Sequence, residues 1–176
     1  VIFATDVVDY SLHMEKDEIG TVTSLRTYEK ILKESFRKHG GRLFNTGGDS
    51  FMAEFSSAVK AVECAIDFQN IVKEKNKNVI KPALSFRIGI NAGDVILQKK
   101  NLLGEGVNVA ARLEQLSQPG GITISKSIFG YIEGKIDLQI EDLGIQQVKK
   151  NKFHAFDILL DPSQKRVFRK TNLNLK

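Results

Sequence analysis

Two aspartates stand where a chain can present carboxylates at the ends of strands. Asp49 follows Gly47-Gly48 between two short apolar runs, an arrangement that predicts a hairpin with the carboxylate in its turn. Asp6 directly follows Val1–Thr5, whose β-branched and aromatic residues are typical of a buried strand. Two such carboxylates can bind a divalent cation through hard oxygen ligands. Taken singly, each is a weak signal, because an acid in a glycine turn is usually turn chemistry and an acid after a strand often caps a helix.

An amide and a guanidinium stand four residues apart in segment 107–114. On a helix, this spacing places Asn108 and Arg112 on one face, where both can contact the same target. The small residues Ala110 and Ala111 would let that helix approach its neighbour closely. Taken alone, the pair is better explained as part of a helix whose polar face meets solvent.

The elements that must position these residues are indicated by apolar periodicity and by glycine and proline. Helices are predicted after Glu18 up to Gly40-Gly41, over residues 57–75 and over residues 107–116. Strands are predicted at residues 1–5, 42–45, 50–55, 85–91, 95–97 and 122–124, with short antiparallel strands from 136 to 159. The runs 85–91 and 95–97 are predicted to form a second hairpin. This order predicts an α+β sandwich in which helices cover a mixed sheet.

The size of the chain, 176 residues and 19.7 kDa, predicts one domain over residues 1–160. Residues 161–176 are polar and basic and are interpreted as a tail or linker. Because the chain opens inside a predicted strand, we expect an upstream portion. The single cysteine, Cys64, lies in a helical apolar stripe, which excludes an internal disulfide and predicts a buried thiol.

The net charge of +5 and the pI near 9.3 suit a polyanionic partner or simply a basic surface. Nucleic acid is not expected, because the aromatic residues are not interleaved with the basic ones as a single-strand binding groove requires. The three histidines lack the spacing of a zinc site. No apolar stretch approaches the length of about 20 residues that a membrane-spanning helix needs.

Three separated segments agree in order and spacing with one enzyme family. They are Phe3-Ala4-Thr5-Asp6-Val7-Val8-Asp9-Tyr10-Ser11, Gly47-Gly48-Asp49-Ser50 and Gly104-Glu105-Gly106-Val107-Asn108-Val109-Ala110-Ala111-Arg112-Leu113-Glu114. With further matches at residues 87–95 and 119–122, the chain from residue 1 to about 159 resembles the class III nucleotidyl cyclases, most of all bacterial adenylate cyclase catalytic domains. The resemblance implies a ferredoxin-like (palm-like) α+β sandwich with a mainly antiparallel sheet. It also implies a signalling lyase that converts ATP to 3′,5′-cyclic AMP and pyrophosphate.

The resemblance assigns a role to each candidate residue. Asp6, Asp49 and the carbonyl of Val7 would hold two Mg²⁺ or Mn²⁺ ions, and Asn108 and Arg112 would orient the ribose and stabilise charge on the transferring phosphate. The residues implied in triphosphate binding are Val8, Asp9, Tyr10 and Ser11, together with one of the late lysines Lys149, Lys150 and Lys152.

Base selectivity is where the chain departs from the best-known members of the family. Asn45 and Asn101 occupy the positions of a lysine and an aspartate that recognise adenine there. Asparagine has both a donor and an acceptor for a purine edge, although it lacks the lysine's charge. ATP is the first choice, and GTP or a pyrimidine triphosphate stays open.

In this family the metal aspartates and the Asn/Arg pair of one site come from opposite subunits. The resemblance therefore implies a homodimer with two shared active sites. It also implies a regulatory or membrane segment upstream, and a cytoplasmic domain that the full-length protein can tether to the inner face of the membrane.

Three other interpretations stay open. Gly47-Gly48-Asp49-Ser50-Phe51 differs by one residue from the GGDEF signature of diguanylate cyclases, but that family has no place for the Asn108/Arg112 helix. A catalytically silent regulatory cyclase domain usually lacks a metal aspartate or the catalytic arginine. Here both aspartates and the Asn108/Arg112 pair are present. A nucleic-acid-binding domain with a ferredoxin-like sheet would need solvent-facing aromatics on its central strands. Phe3 and Phe86 are instead predicted to be core residues.

Overall fold

Strands and helices are both distributed along residues 1–78 and 80–167, the part of the chain that the computed structural model describes. The strands are β1 (Ile2–Val7), β2 (Arg42–Gly47), β3 (Ser50–Glu54), β4 (Phe86–Asn91), β5 (Ile96–Gln98), β6 (Asn101–Leu103), β7 (Ile122–Ser125), β8 (Gln139–Val148) and β9 (Asn151–Leu159). The helices are α1 (Tyr10–Lys16), α2 (Glu18–Lys38), α3 (Ala58–Asn78), α4 (Glu105–Leu116) and α5 (Lys126–Ile132), followed by a 3₁₀ turn at Pro162–Gln164.

Seven of the described strands form one sheet in the order β2-β3-β1-β4-β7-β9-β8. Among the described strands of this sheet, only the β4–β7 pair is parallel, and the other neighbours run antiparallel. The predicted class, an α+β sandwich with a mixed and mainly antiparallel sheet, is therefore confirmed. Strand β1 lies between β3 and β4, so the residues at its end meet both neighbours.

The main core lies between one face of the sheet and helices α2, α3 and α5. Alternation along β1 directs Phe3 and Val7 into this core and turns Asp6 toward the opposite face. The Phe3 ring packs edge-on against Phe36 with centroids 5.1 Å apart, and Phe86 is fully buried. The predicted core positions of Phe3 and Phe86 are confirmed, as is the buried Cys64 thiol.

Helix α4 covers the other face of the sheet and packs closely on β4. A Cβ atom on Gly89 would lie 2.2 Å from the backbone nitrogen of Glu114 and 2.4 Å from the carbonyl oxygen of Ala110. Only glycine therefore permits this approach of helix to strand. The buried residues Ile2, Ala4, Leu102, Val107 and Ala110 form the apolar cluster beneath the helix.

The predicted hairpin between residues 85–91 and 95–97 is wrong. Strand β5 pairs instead with β6, so that Ile96 faces Leu103 in a separate two-stranded hairpin. After β4 the backbone leaves the sheet, and the Asp94 carbonyl accepts a hydrogen bond from the Gly106 N–H at 3.0 Å. The short strands predicted between residues 136 and 159 are two long strands, β8 and β9.

Two short helices, α1 and α5, had no prediction, and α1 buries none of its residues, so it has no apolar stripe. In the segment predicted as a tail or linker, residues 161–167 pack against the domain, and residues 168–176 lie outside the described part. None of the described helices is long and apolar enough to cross a membrane.

Candidate active site

Asp6 is held by an arginine on the neighbouring strand. The antiparallel register places Asp6 directly opposite Arg87, whose Nε and Nη2 donate to the two carboxylate oxygens at 2.9 and 2.5 Å. The Asp6 side chain is 14% exposed, so this ion pair is largely shielded from water. Hydrogen bonding to Asp6 raises the pKa of the Arg87 guanidinium above its ordinary value.

Asp49 reaches the same place from the turn between β2 and β3. Gly48 has a positive φ of 61°, which closes the turn beside it. The Asp49 Oδ2 accepts a hydrogen bond from the Val7 N–H at 3.3 Å, which joins the hairpin to the end of β1. Burial raises the pKa of the Asp49 carboxyl, and the negative charge of Asp6 adds to that rise. The two predicted metal aspartates are therefore neighbours.

A third acid, Glu114, lies beneath them on the inner face of α4. Its side chain is buried, and burial together with the charge of Asp6 and a hydrogen bond to Asp6 raises its pKa to about 9. At neutral pH, Glu114 therefore carries its proton and can donate to Asp6. The charges of Asp6 and Asp49 are then opposed mainly by Arg87.

The chemistry of this edge suits a divalent cation. Asp6, Asp49 and the Val7 carbonyl supply hard oxygen ligands. Burial is the main cause of the raised pKa of Asp49, and a bound cation would offset the lesser contribution from the charge of Asp6. Within residues 1–78 and 80–167, no group of three or more His, Cys, Asp and Glu side chains could hold a metal ion. Two carboxylates with open positions for water and phosphate are the usual protein share of a Mg²⁺ site.

The loop after β1 was predicted to bind phosphate through backbone N–H groups. The Val8 N–H instead donates to the Ser85 carbonyl at 2.8 Å, so it is not free for a ligand. Asp9 adopts the left-handed conformation with φ 53°, and α1 begins at the next residue. The N–H groups of Asp9, Tyr10 and Ser11 therefore lie at a helix start, where backbone donors lack intrahelical partners.

Asn108 and Arg112 occupy the outer surface of α4. Asn108 is exposed, and Arg112 donates from Nη1 to Gln115 Oε1 at 3.2 Å. The Nε of Arg112 is buried and finds no hydrogen-bond partner among the described residues. Because Glu114 occupies the inner face beside Asp6, the structure keeps the Asn108/Arg112 pair apart from the two aspartates within one chain.

The late lysines lie at the tip of the β8–β9 hairpin. Lys149 is at the turn with φ 54°, and Lys149 and Lys152 are both exposed. Asn151 between them donates to Glu105 Oε1 at 2.7 Å, which ties the hairpin tip to the first turn of α4. The structure thus brings these lysines to the end of α4 on which Asn108 lies.

The two asparagines predicted to recognise the base lie on strands that meet at one edge. Asn45 is exposed on β2 next to a register shift, and Asn101 begins β6. Asn101 uses its Oδ1 to accept the N–H of Leu102 at 2.9 Å, which leaves its amide N–H groups for a ligand. Arg42 on β2 donates to the carbonyl of Lys100, in the turn directly before β6, at 3.1 Å.

Sequence reasoning missed Arg87 and Glu114, the two side chains that surround Asp6. A partial signal was present, because alternation in β4 buries Phe86 and Ile88 on one face and therefore turns Arg87 to the other. The missing information was the pairing of β4 with β1, which is a contact between residues 81 positions apart.

Comparison with known proteins agrees with this architecture. The sequence profile described as the adenylate and guanylate cyclase catalytic domain matches residues 1–159. A Rhizobium meliloti protein named "Putative adenylate cyclase 3" is 41% identical over 150 residues, which cover 84% of this chain and 26% of that protein. This chain thus spans about a quarter of that relative's length.

Solved structures give the same result. An adenylate/guanylate cyclase/hydrolase from Silicibacter pomeroyi superposes with a TM-score of 0.84 at 31% identity, over 91% of this chain and 95% of that one. The adenylyl cyclase CyaB from P. aeruginosa shares the fold with a TM-score of 0.75 at 22% identity, over 94% and 95% of the two chains. The family match, the 41% identical relative and the sheet that joins Asp6 to Asp49 lead to one conclusion. The chain belongs to the adenylate and guanylate cyclase catalytic domains, the class III nucleotidyl cyclases.

Proposed function

We propose that this domain converts ATP to 3′,5′-cyclic AMP and pyrophosphate at the interface of a homodimer. One observation carries the proposal. Asp6 and Asp49 meet at one edge of the chain, while Asn108 and Arg112 face outward from the opposite surface of α4. Each copy therefore holds two half-sites, and a second copy related by a twofold axis would complete both.

In the proposed reaction, the ribose 3′-oxygen forms a bond to the α-phosphorus. The bond between the α-phosphorus and the oxygen that bridges it to the β-phosphate breaks at the same time. Pyrophosphate leaves with the electron pair, and the hydroxyl proton is lost to solvent. Asp6, Asp49 and the Val7 carbonyl would hold two Mg²⁺ or Mn²⁺ ions, which supply the positive charge that lowers the pKa of the 3′-hydroxyl.

The chain's own residues orient the nucleotide and stabilise its charge. The N–H groups of Asp9, Tyr10 and Ser11 would bind the β- and γ-phosphates, and a late lysine, Lys149 or Lys152, would reach them from the partner. Asn108 would orient the ribose. The Arg112 guanidinium is planar and permanently charged, which suits a phosphate that gains charge in the transition state. Losing such a contact typically lowers the rate about 100-fold or more.

The β5–β6 hairpin supports the proposed dimer. Ile96 and Leu97 are 66% and 68% exposed, and Val95 and Leu103 beside them are also exposed. An apolar surface of this kind, next to the strand that carries Asn101, is typical of a protein interaction site. We also propose a cytoplasmic location and an upstream regulatory or membrane segment, in keeping with the small share of its relative that this chain covers.

The test is a mixing experiment with two inactive variants. Asp49→Ala removes a metal ligand, and Arg112→Ala removes the outer-face guanidinium. Each variant alone should form almost no product with Mn²⁺ and ATP. An equal mixture should recover about one quarter of wild-type activity, because half of the dimers are mixed and each mixed dimer holds one intact site.

Other outcomes separate the alternatives. A mixture as inactive as either variant alone would contradict a shared site, and product from one variant alone would contradict the role given to the residue it lacks. Assays with all four nucleoside triphosphates identify the base, since Asn45 and Asn101 leave GTP or a pyrimidine open. No product from the wild-type chain with any of the four, even at high protein concentration, would favour the catalytically silent regulatory domain.

A further inference from the structure

Residues 161–167, which we call the C-terminal clasp, connect to helix α4 through one arginine. The Arg166 Nη2 donates to the Leu116 carbonyl at 2.8 Å, and Leu116 is the last residue of α4. The same guanidinium donates to the two carboxylate oxygens of Asp157 on β9 at 2.6 and 3.1 Å. The Arg166 backbone N–H donates to Glu141 Oε2 on β8 at 3.2 Å. One residue thus links two strands to the end of the helix.

The ion pair at the centre of the clasp is mostly buried. The Asp157 side chain is 7% exposed and also accepts a hydrogen bond from the fully buried Thr123 at 2.7 Å. The Arg166 side chain is 20% exposed. A bidentate pair fixed on both sides in this way holds the guanidinium in one position, unlike an exposed surface pair.

Helix α4 lacks a cation of its own where Arg166 binds. Its last turn contains no basic side chain, although the unpaired carbonyls at a helix C-terminus favour positive charge. Arg166 supplies both the charge and a donor from a distant part of the sequence. The clasp therefore completes the C-terminus of α4.

The loop that follows α4 is held by the same segment. Gln164 donates from Nε2 to the Gly120 carbonyl at 3.2 Å, and its own carbonyl accepts from Gln118 Nε2 at 2.9 Å. The Gln164 Oε1 accepts the N–H of Leu160 at 2.9 Å, which fixes the start of the clasp. The exit of α4 is thus fastened at Leu116, Gln118 and Gly120.

We propose that Arg166 is a positioning residue for Arg112, acting through the last turn of α4. This proposal rests on the proposed function. Leu116 is one helical turn beyond Arg112, so the carbonyl that Arg166 binds lies in the turn adjacent to the Arg112 backbone. Among the described residues, the Arg112 side chain makes one hydrogen bond, to Gln115 of its own helix. The direction of its guanidinium therefore follows the placement of the helix end, and small displacements of catalytic groups cost large factors in rate.

The experiment compares Arg166→Ala, Arg166→Lys and the control Arg37→Ala, whose ion pair with Glu34 is exposed. In full-length chains folded at the assay temperature, Arg166→Ala should lower kcat about tenfold and change KM less than about twofold. Lysine keeps the charge but not the fork, and should restore part of the loss. Arg37→Ala should match wild type.

A double-mutant cycle separates positioning from general damage. In the Arg112→Ala background, Arg166→Ala should cause no further loss of rate, because the group that it positions is gone. An equal tenfold loss in that background, or an unchanged kcat in Arg166→Ala, would overturn the proposal. If Arg166→Ala does not fold, Arg166→Lys carries the same cycle.

Hydrogen exchange keeps this result distinct from a failure of the proposed function. Amides of residues 113–117 should exchange faster in Arg166→Ala than in wild type, whether or not the chain makes a cyclic nucleotide. Unchanged exchange at these amides would by itself contradict the proposal that the C-terminal clasp holds the end of α4. A wild-type chain without product, but with faster exchange in the variant, would refute only the function.

Discussion

Asp6 and Arg87 stand opposite each other on adjacent antiparallel strands, and the arginine donates to both oxygens of the carboxylate. Arg87 is therefore the counter-ion of the predicted metal aspartates. A cation bound by Asp6 and Asp49 would share the carboxylate with Arg87.

Removing this counter-ion should make the domain depend on metal for stability. Arg87→Ala leaves Asp6 partly buried and unpaired, and should lower the thermal midpoint in EDTA by about 4–8 °C. Saturating Mn²⁺ should raise the thermal midpoint more in the variant than in wild type. Arg37→Ala is the control, since its ion pair with Glu34 is exposed and should change the midpoint by less than about 2 °C. A metal response equal to that of wild type would argue against the site.

The close packing of α4 on β4 predicts a severe effect from one methyl group. Gly89→Ala would place a Cβ atom against backbone atoms of Ala110 and Glu114, which cannot move independently of the helix. We expect a loss of about 2–3 kcal/mol in the free energy of unfolding, measured by urea denaturation. Gly130→Ala, where the Cβ meets nothing within 4 Å on α5, should instead be neutral or stabilising by up to about 1 kcal/mol. Equal behaviour of the two variants would contradict the packing.

Glu114 should make folding stability depend on pH. Its folded pKa of about 9 exceeds the ordinary glutamate pKa of 4.5, so between these values the folded state keeps a proton that the unfolded state has released. Stability from this group is therefore highest at low pH and falls as the pH rises through that window. Glu114→Gln removes the titrating carboxyl and therefore this pH dependence.

In metal-free buffer, the free energy of unfolding measured with urea should fall by less in Glu114→Gln than in wild type between about pH 5.5 and 8.5. The difference between the two falls should be about 1 kcal/mol or more. Identical slopes in the two proteins would show that Glu114 is not the group responsible.

The apolar β5–β6 hairpin predicts a variant that separates folding from assembly. Leu97→Glu should raise the dimer dissociation constant about tenfold or more, because it places a charge in an apolar contact, and cyclic nucleotide formation should fall with it. Ile19→Glu is the matched control, since Ile19 is 82% exposed on α2. Sedimentation equilibrium measures assembly, and circular dichroism verifies the fold. Undiminished dimerisation in Leu97→Glu would place the interface elsewhere.

The sequence predicted best what depends on neighbouring residues. Asp49 in its glycine turn, Asp6 after a buried strand and the Asn108/Arg112 helix all have local signals, and the predicted elements are present. The second hairpin failed because Gly93 suggested a turn at residues 92–94. The actual turn is at Lys99-Lys100, and Lys99 takes a positive φ without a glycine.

Long-range pairing and polar composition account for the rest. Arg87 meets Asp6 only once β4 lies beside β1, and no local pattern fixes that pairing. Arg166 was hidden in a stretch whose polar character predicted a tail, although its partner Asp157 is buried. The sequence around a charged residue near the end of a domain does not indicate which buried carboxylate that residue will contact.

Helix α4 has an inner face that meets its own Asp6 through Glu114 and an outer face that presents Arg112. In a symmetric pair, one helix would thus contact the cation-binding edge of its own chain and the nucleotide of the other. Substrate binding at one site would then change the substrate affinity of the other site. We therefore expect initial velocity to follow substrate concentration with a Hill coefficient different from one, and Glu114→Gln to bring that coefficient closer to one.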